Sequence, residues 1–264
     1  MTDQEYYQQL AEVQSRVQPA TYVCYRTDGP VKVDGRLDSP SWMRAEWTDL
    51  FGHIESPDIV PEWATRAKML WDDRFFYVGV EMDCPDVWAT NTTRDEHVYS
   101  YDPDFEVFID PDDDGENYME FGMNAINCAY DFLLHKPYAR GGGETREIGW
   151  DWEGLRSGVQ INGTLNAPWI EDKSWSAVIA FDYASMRSNA PGSSFPPVNG
   201  DVWRVNLSRL VRDRANTWTG KDWTWSRMGI YSMHIPELYG YVQFSQETVG
   251  TANLPFTGKT WLDE

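Results

Sequence analysis

From about residue 22 onward, hydrophobic and polar residues alternate. In FFYVGVEMD (75–83), Phe76, Val78, Val80 and Met82 take one side and Phe75, Tyr77, Gly79 and Glu81 the other. In DFEVFID (104–110), Phe105, Val107 and Ile109 oppose Glu106 and Phe108. Residues 118–125, WSAVIAF (175–181) and VWRVNLS (202–208) repeat the pattern. Successive side chains of a strand point to opposite faces, so period two in short runs bounded by Gly, Pro, Asp and Asn marks half-buried strands. The pattern predicts an all-β fold, an antiparallel β-sandwich of jelly-roll or immunoglobulin-like layers. Helical spacing occurs first at Tyr6, Leu10, Val13 and Val17, which predicts a short amphipathic helix over 3–17. A second, shorter helix is expected at 182–187.

No low-complexity linker divides the chain. The expected organisation is a helical extension over 1–21, one sandwich over 22–246 and a tail over 247–264. The Pro/Gly/Ser-rich stretch NAPGSSFPPVNG (189–200) reads as a long loop at one end of the sandwich.

Composition narrows the partners. Lys plus Arg number 22 against 42 Asp plus Glu, a net charge of -20. Such a field repels nucleic acid and anionic membrane and suits cations or neutral, hydroxyl-rich ligands. No run approaches membrane-spanning length. Cys24, Cys84 and Cys128 lack zinc-ligand spacing, leaving either one bridge and one thiol or three thiols. The first residues, MTDQEYYQQLAEVQSRV, carry no apolar signal region. The expectation is an extracellular or periplasmic protein whose signal peptide is absent from this sequence, with a cytoplasmic location as the alternative.

Two groups of residues carry candidate chemistry. The first is Asp110-x-Asp112-x-Asp114-Gly115, which has the opening spacing of a calcium loop. An EF-hand would require Glu where Phe121 stands, so the choice lies between a non-helical Ca2+ site and a solvated acidic turn. The second group lies on strand faces. Glu106 projects opposite its apolar neighbours, Glu120 and Asn124 share a face, and so do Arg204, Asn206 and Ser208. Planar polar side chains of this kind take paired hydrogen bonds from vicinal sugar hydroxyls, while aromatic rings cover the apolar face of a pyranose. Trp88, Trp218, Trp223 and Trp225 sit in loop-like sequence and offer further rings.

Seven segments occur in an order that resembles the family 9 carbohydrate-binding modules and the broader family 9-like group. They are VDGRLDSPSW (33–42), KMLWDDRFFYVGVEMDCPDVWAT (68–90), DPDFEVFIDPDDDGENYMEFGMNAIN (102–127), LLHKPY (133–138), WSAVIAFD (175–182), GDVWRVNLSRL (200–210) and MHIPELYGYVQFS (233–245). The resemblance spans about residues 30–245. It implies a calcium-stabilised β-sandwich that binds oligo- or polysaccharide without catalysis, within a polysaccharide-degradation system. By the same resemblance Glu106 matches the family's acidic sugar ligand and Asn206 its amide ligand. The family clamps sugar between two tryptophans. Here Ser100 stands at the first position, between Tyr99 and Tyr101, and Met233 at the second, before His234. Gly122 replaces the family's basic ligand.

The expected ligand set is Glu106, Asn206, Arg204, Asn124, Glu120, Tyr99, Tyr101 and His234, with Asp110, Asp112 and Asp114 on the metal. No residue is assigned a catalytic role. The competing reading is a glycan hydrolase or lyase using Glu106 with Glu120 or His234 as acid and base. A third reading, haem held between Met and one of His97, His135 and His234, has no pairing in the sequence to support it.

Overall fold

The computed structural model describes residues 1–142, 146, 147 and 149–263. Helix α1, Asp3–Gln14, starts at Thr2, whose hydroxyl accepts from the Glu5 amide while Glu5 reaches back to the Thr2 amide. This reciprocal capping box satisfies amides that a free helix end would leave orphaned. Tyr6 and Val13 turn inward from the helix as their spacing predicts, but it ends at Gln14, short of the expected residue 17, and the buried Val17 lies beyond it.

The strands are β1 Thr21–Arg26, β2 Gly52–His53, β3 Thr65–Trp71, β4 Phe75–Asp83, β5 Asp104–Asp110, β6 Tyr118–Asn124 and β7 Ala129–Leu134. They continue as β8 Arg146–Glu147, β9 Arg156–Asn162, β10 Ser174–Asp182, β11 Val202–Asp213, β12 Asn216–Thr224 and β13 Gly240–Thr248. Short helices intervene: α2 Pro40–Arg44, α3 Val98–Tyr101 and α4 Tyr183–Met186, the last capped by Asp182.

Hydrogen bonding joins the strands in the order β8-β7-β6-β5-β11-β13-β1-β3-β4-β10-β9, with β12 on β11 and β2 on β12. β6 and β10 are far apart along this path, yet the rings of Phe121 and Phe181 meet edge to face at 5.6 Å. Likewise Phe76 of β4 meets Trp203 of β11 at 5.8 Å. The sheet therefore curls until its two halves face each other, and the inward residues of both form one core. That core takes the side of each strand that the alternation assigns to it: Phe105, Val107 and Ile109 from β5, and Val78, Val80 and Met82 from β4.

One pairing departs from a purely antiparallel sandwich. β1 runs parallel to both β13 and β3, two strands that follow it in the chain, one by more than 200 residues and the other by about 40. The three cysteines are all buried and free, which removes the bridged alternative. The 189–200 loop folds back on the acidic turn: Gly192 donates its amide to Asp112 and Ser193 its hydroxyl to the Pro111 carbonyl.

Candidate functional site

The outer face of the β6-β5-β11-β12 region carries the site. Since Phe105 and Val107 point into the core, Glu106 must point out, and register places it opposite Gly122 of β6 and Ser208 of β11. Glu120 emerges on the same face two rungs away, opposite Phe108. Together with Phe108 they line a cleft of about 440 Å³, bordered by Tyr99, Phe132, Tyr138, Arg212, Asp222, Tyr231, Met233 and His234.

Gly122 explains the arrangement of the acids. A Cβ there would come within 2.3 Å of the Tyr130 ring, so only glycine lets that ring lie across the strand. The Tyr130 hydroxyl consequently sits 2.8 Å from Glu106 Oε1 and 3.2 Å from Glu120 Oε1. A phenol has one proton to donate, so it can satisfy only one ionised carboxylate at a time. Burial pushes the Glu106 carboxyl up to about 7, and the neighbouring Asp222 charge adds to the effect, against opposing hydrogen bonds and Arg212. Asp104, buried on the same face with neither carboxylate oxygen hydrogen-bonded among the described residues, is also held well above the ordinary range by burial and by Glu106. Asp222 is raised by burial too, while a hydrogen bond from Tyr231 and the charge of Arg212 oppose the shift. Several acids thus surround the one guanidinium among the described lining residues, that of Arg212, which donates to the Tyr99 carbonyl.

Four of the eight residues expected to contact ligand line this cleft: Glu106, Glu120, Tyr99 and His234. Tyr99 packs edge-on against Tyr130 at 5.1 Å, and its hydroxyl lies 2.8 Å from His97 Nδ1. The His234 ring lies over Tyr138 at 3.9 Å, with Nδ1 3.1 Å from the Tyr118 hydroxyl. Of the two positions that match the family's tryptophan clamp, Met233 lines the cleft beside His234, whereas Ser100 does not and its neighbour Tyr99 lines it instead. Tyr231, 53% exposed, adds a further ring that the sequence reading did not single out.

The other four lie elsewhere. Asn206 is wholly buried; its amide donates to the Ser226 carbonyl and its oxygen accepts from the Leu207 and Ser226 amides. Asn124, also wholly buried, binds Asp102 and the Asn91 carbonyl and accepts from Cys128. Tyr101 is exposed and outside the cleft lining. Arg204 stands opposite Asp110, not Glu106. Its Nε donates to Asp113 at 2.6 Å, its terminal nitrogens donate to the Tyr239 and Glu237 carbonyls, and its guanidinium lies 4.0 Å from the Tyr241 ring. It ties the acidic turn to the 236–239 segment.

Arg212, Asp222 and Tyr231 escaped the sequence reading. The first two lie beyond the clean alternation of β11 and in β12, NTWTGKDWT, where polar and apolar residues do not alternate. Of the tryptophans considered as extra platforms, Trp223 and Trp225 belong to the core, Trp88 is buried, and the Trp218 side chain lies outside the described residues.

In the acidic turn Asp113, Gly115 and Asn117 adopt left-handed backbone, curling the loop tightly. The turn sorts its aspartates. Asp113 pairs with Arg204, whereas Asp110, Asp112 and Asp114 bring oxygens within 4.8 Å of one another. One oxygen each of Asp110 and Asp112 is buried with no hydrogen-bond partner among the described residues. Burial is the first cause of the raised pKa of both carboxyls, and the crowded like charges reinforce it. Orphaned carboxylate oxygens converging on one point are the donor set that a hard divalent cation fits. A second acidic group, Asp95, Asp131 and Asp151, is arranged around Arg94, which binds Asp131 through both oxygens at 2.7 Å.

No curated protein matches this chain. Among solved structures, a family 9 carbohydrate-binding module from Caldicellulosiruptor kristjanssonii in complex with cellotriose superposes with a TM-score of 0.57 at 16% identity, covering 88% of this chain and 98% of the other. A glucose complex of a family 9 module from the same organism gives 0.58 at 16%, with coverage of 88% and 100%. A protein from Bacteroides uniformis, solved as a candidate carbohydrate-binding protein, gives 0.62 at 15%, with coverage of 86% and 100%. The family model "Carbohydrate family 9 binding domain-like" matches residues 33–144, the part that holds β3 to β7, the acidic turn and both floor glutamates. The resemblance read from the ordered motifs thus holds: the chain carries a family 9 carbohydrate-binding-domain-like region within the fold of the family 9 modules.

Proposed function

We propose that this protein is a non-catalytic carbohydrate-binding module whose Glu106 cleft takes a neutral, glucose-type saccharide. The observation that carries the reading is the cleft itself, with two bridged glutamates on its floor and tyrosine rings at its border. Glu106 and Glu120 accept hydrogen bonds from vicinal hydroxyls, Arg212 donates to ring or glycosidic oxygens, and Tyr99 and Tyr231 cover the apolar sugar face. With several acids around one guanidinium, an anionic sugar meets net repulsion here. The C. kristjanssonii modules hold cellotriose and glucose, in keeping with this choice.

Calcium belongs to the same proposal. Asp110, Asp112 and Asp114 would hold it, and its charge would relieve their mutual repulsion and pin the turn that Arg204 anchors. The wider setting we infer is a secreted polysaccharide-degradation system. A glycan array run with and without chelator tests both parts: binding to neutral β-glucans, weakened by chelation through loss of stability, is expected. An array blank under both conditions would contradict the proposal.

One observation favours a second reading, a glycan hydrolase or lyase. Glu106, with its pKa raised to about 7, neighbours a second carboxyl through one hydroxyl, as an acid/base pair would. Turnover of any glycan that Glu106→Gln abolishes would establish it.

A further inference from the structure

The core side of β11 presents Trp203, Val205 and Leu207, and then, on the same side, Arg209. Arg209 is only 3% exposed. Its terminal nitrogens donate to the Thr65 hydroxyl at 2.8 Å and the Asp83 carbonyl at 2.7 Å, both neutral acceptors. Among the described residues no carboxylate forms an ion pair with it. Burial lowers its pKa to about 10, so it remains a cation at neutral pH. A buried charge without a counter-charge is costly, and this one lies in the wall of a cavity of about 400 Å³.

The rest of that cavity is suited to a ring. Trp63, Pro85 and Pro103 supply apolar surface, while the buried Trp88 carries the Arg214 guanidinium 5.2 Å over its ring. Of the other cations in the lining, Arg214 is matched by both oxygens of Asp86, Lys221 by Glu62, and Arg212 donates to the Tyr99 carbonyl. The cavity therefore offers the buried Arg209 guanidinium, which no described carboxylate ion-pairs, together with apolar rings in the same lining.

We propose that this cavity is a second ligand site, sharing only Arg212 with the lining of the Glu106 cleft, in which Arg209 receives the carboxylate of a uronic acid whose ring packs against Trp63. The carboxylate follows from Arg209 alone; the sugar ring rests on the carbohydrate-binding reading above. A guanidinium fork takes a carboxylate through two parallel hydrogen bonds, so the fit is directional as well as electrostatic.

Titration calorimetry with glucuronate, glucose, acetate and inorganic phosphate tests this on the full chain, its Arg209→Met, Trp63→Ala and Glu106→Gln variants. Glucuronate should bind wild type, lose at least tenfold in affinity with Arg209→Met and several-fold with Trp63→Ala, and be unaffected by Glu106→Gln. Glucose should show the converse, weakened only by Glu106→Gln, so the two sites succeed or fail separately. Trp63 is a half-buried rim residue, so its variant decides the matter if Arg209→Met does not fold. The proposal is overturned if wild type ignores glucuronate, if folded Arg209→Met and Trp63→Ala bind it like wild type, or if acetate or phosphate binds as tightly as glucuronate.

Discussion

The Tyr130 hydroxyl stands 2.8 Å from Glu106 Oε1, and it reaches that point only because residue 122 has no side chain to block the ring. One missing side chain thereby converts a strand face into a site. The ring takes the space a basic residue would fill, and its single proton is offered to two glutamates.

The Glu106 carboxyl has its pKa raised from 4.5 to about 7, chiefly by burial and then by Asp222, with Asp104 and Glu120 also facing the cluster and Arg212 opposing. Folding therefore favours the protonated form. The stabilisation this gives is complete below pH 4.5 and is lost as pH rises to about 7, an amount on the order of 3 kcal/mol. Glu106→Gln removes the titration while keeping an acceptor for Tyr130. Urea unfolding at pH 5 and pH 8 should show wild type losing stability relative to Glu106→Gln as pH rises. A pH-independent difference would contradict the burial argument.

Arg204 is predicted to matter for folding and not for sugar. Its removal orphans the Tyr239 and Glu237 carbonyls and frees Asp113, at a cost of about 2–4 kcal/mol. Arg204→Ala should melt lower than wild type, yet bind saccharide with unchanged affinity below its melting temperature. Loss of affinity in the folded variant would bring Arg204 back into the site.

Much of the fold was legible because period two in β4, β5, β6, β10 and the start of β11 is enforced by burial: a residue out of phase would put a polar group in the core. The parallel placement of β1 was not legible, since pairing partner and direction depend on contacts more than 200 residues apart in sequence, such as Thr21 with Tyr241. For the site, alternation gave the face of Glu106 and Glu120 but not which polar residues on that face stay open. Asn206 and Asn124 share its phase and are consumed by backbone partners from neighbouring loops. Conversely Tyr231 comes from a loop, where no period exists to place a side chain.

Chelation should lower the melting temperature. A cation bound only by the folded state at a hundredfold its dissociation constant adds about 2.7 kcal/mol. Asp110→Asn separates the metal from the turn: without calcium the variant should be more stable than wild type, because a raised, crowded carboxyl is removed, and calcium should no longer shift its melting curve. Calcium shifting wild type and Asp110→Asn equally would place the ion elsewhere.

The central claim is that the cleft over Glu106 binds neutral saccharide, and calorimetric titration of cellotriose into wild type, Glu106→Gln and Tyr231→Ala tests it most directly. The wild type should bind. Glu106→Gln should lose about ten- to a hundredfold in affinity, the cost of one charge-assisted hydrogen bond of about 1.5–3 kcal/mol, and Tyr231→Ala about tenfold through lost stacking. If wild type gives no heat with cellotriose or any other neutral oligosaccharide, or if both variants bind as wild type does, the cleft is not the sugar site.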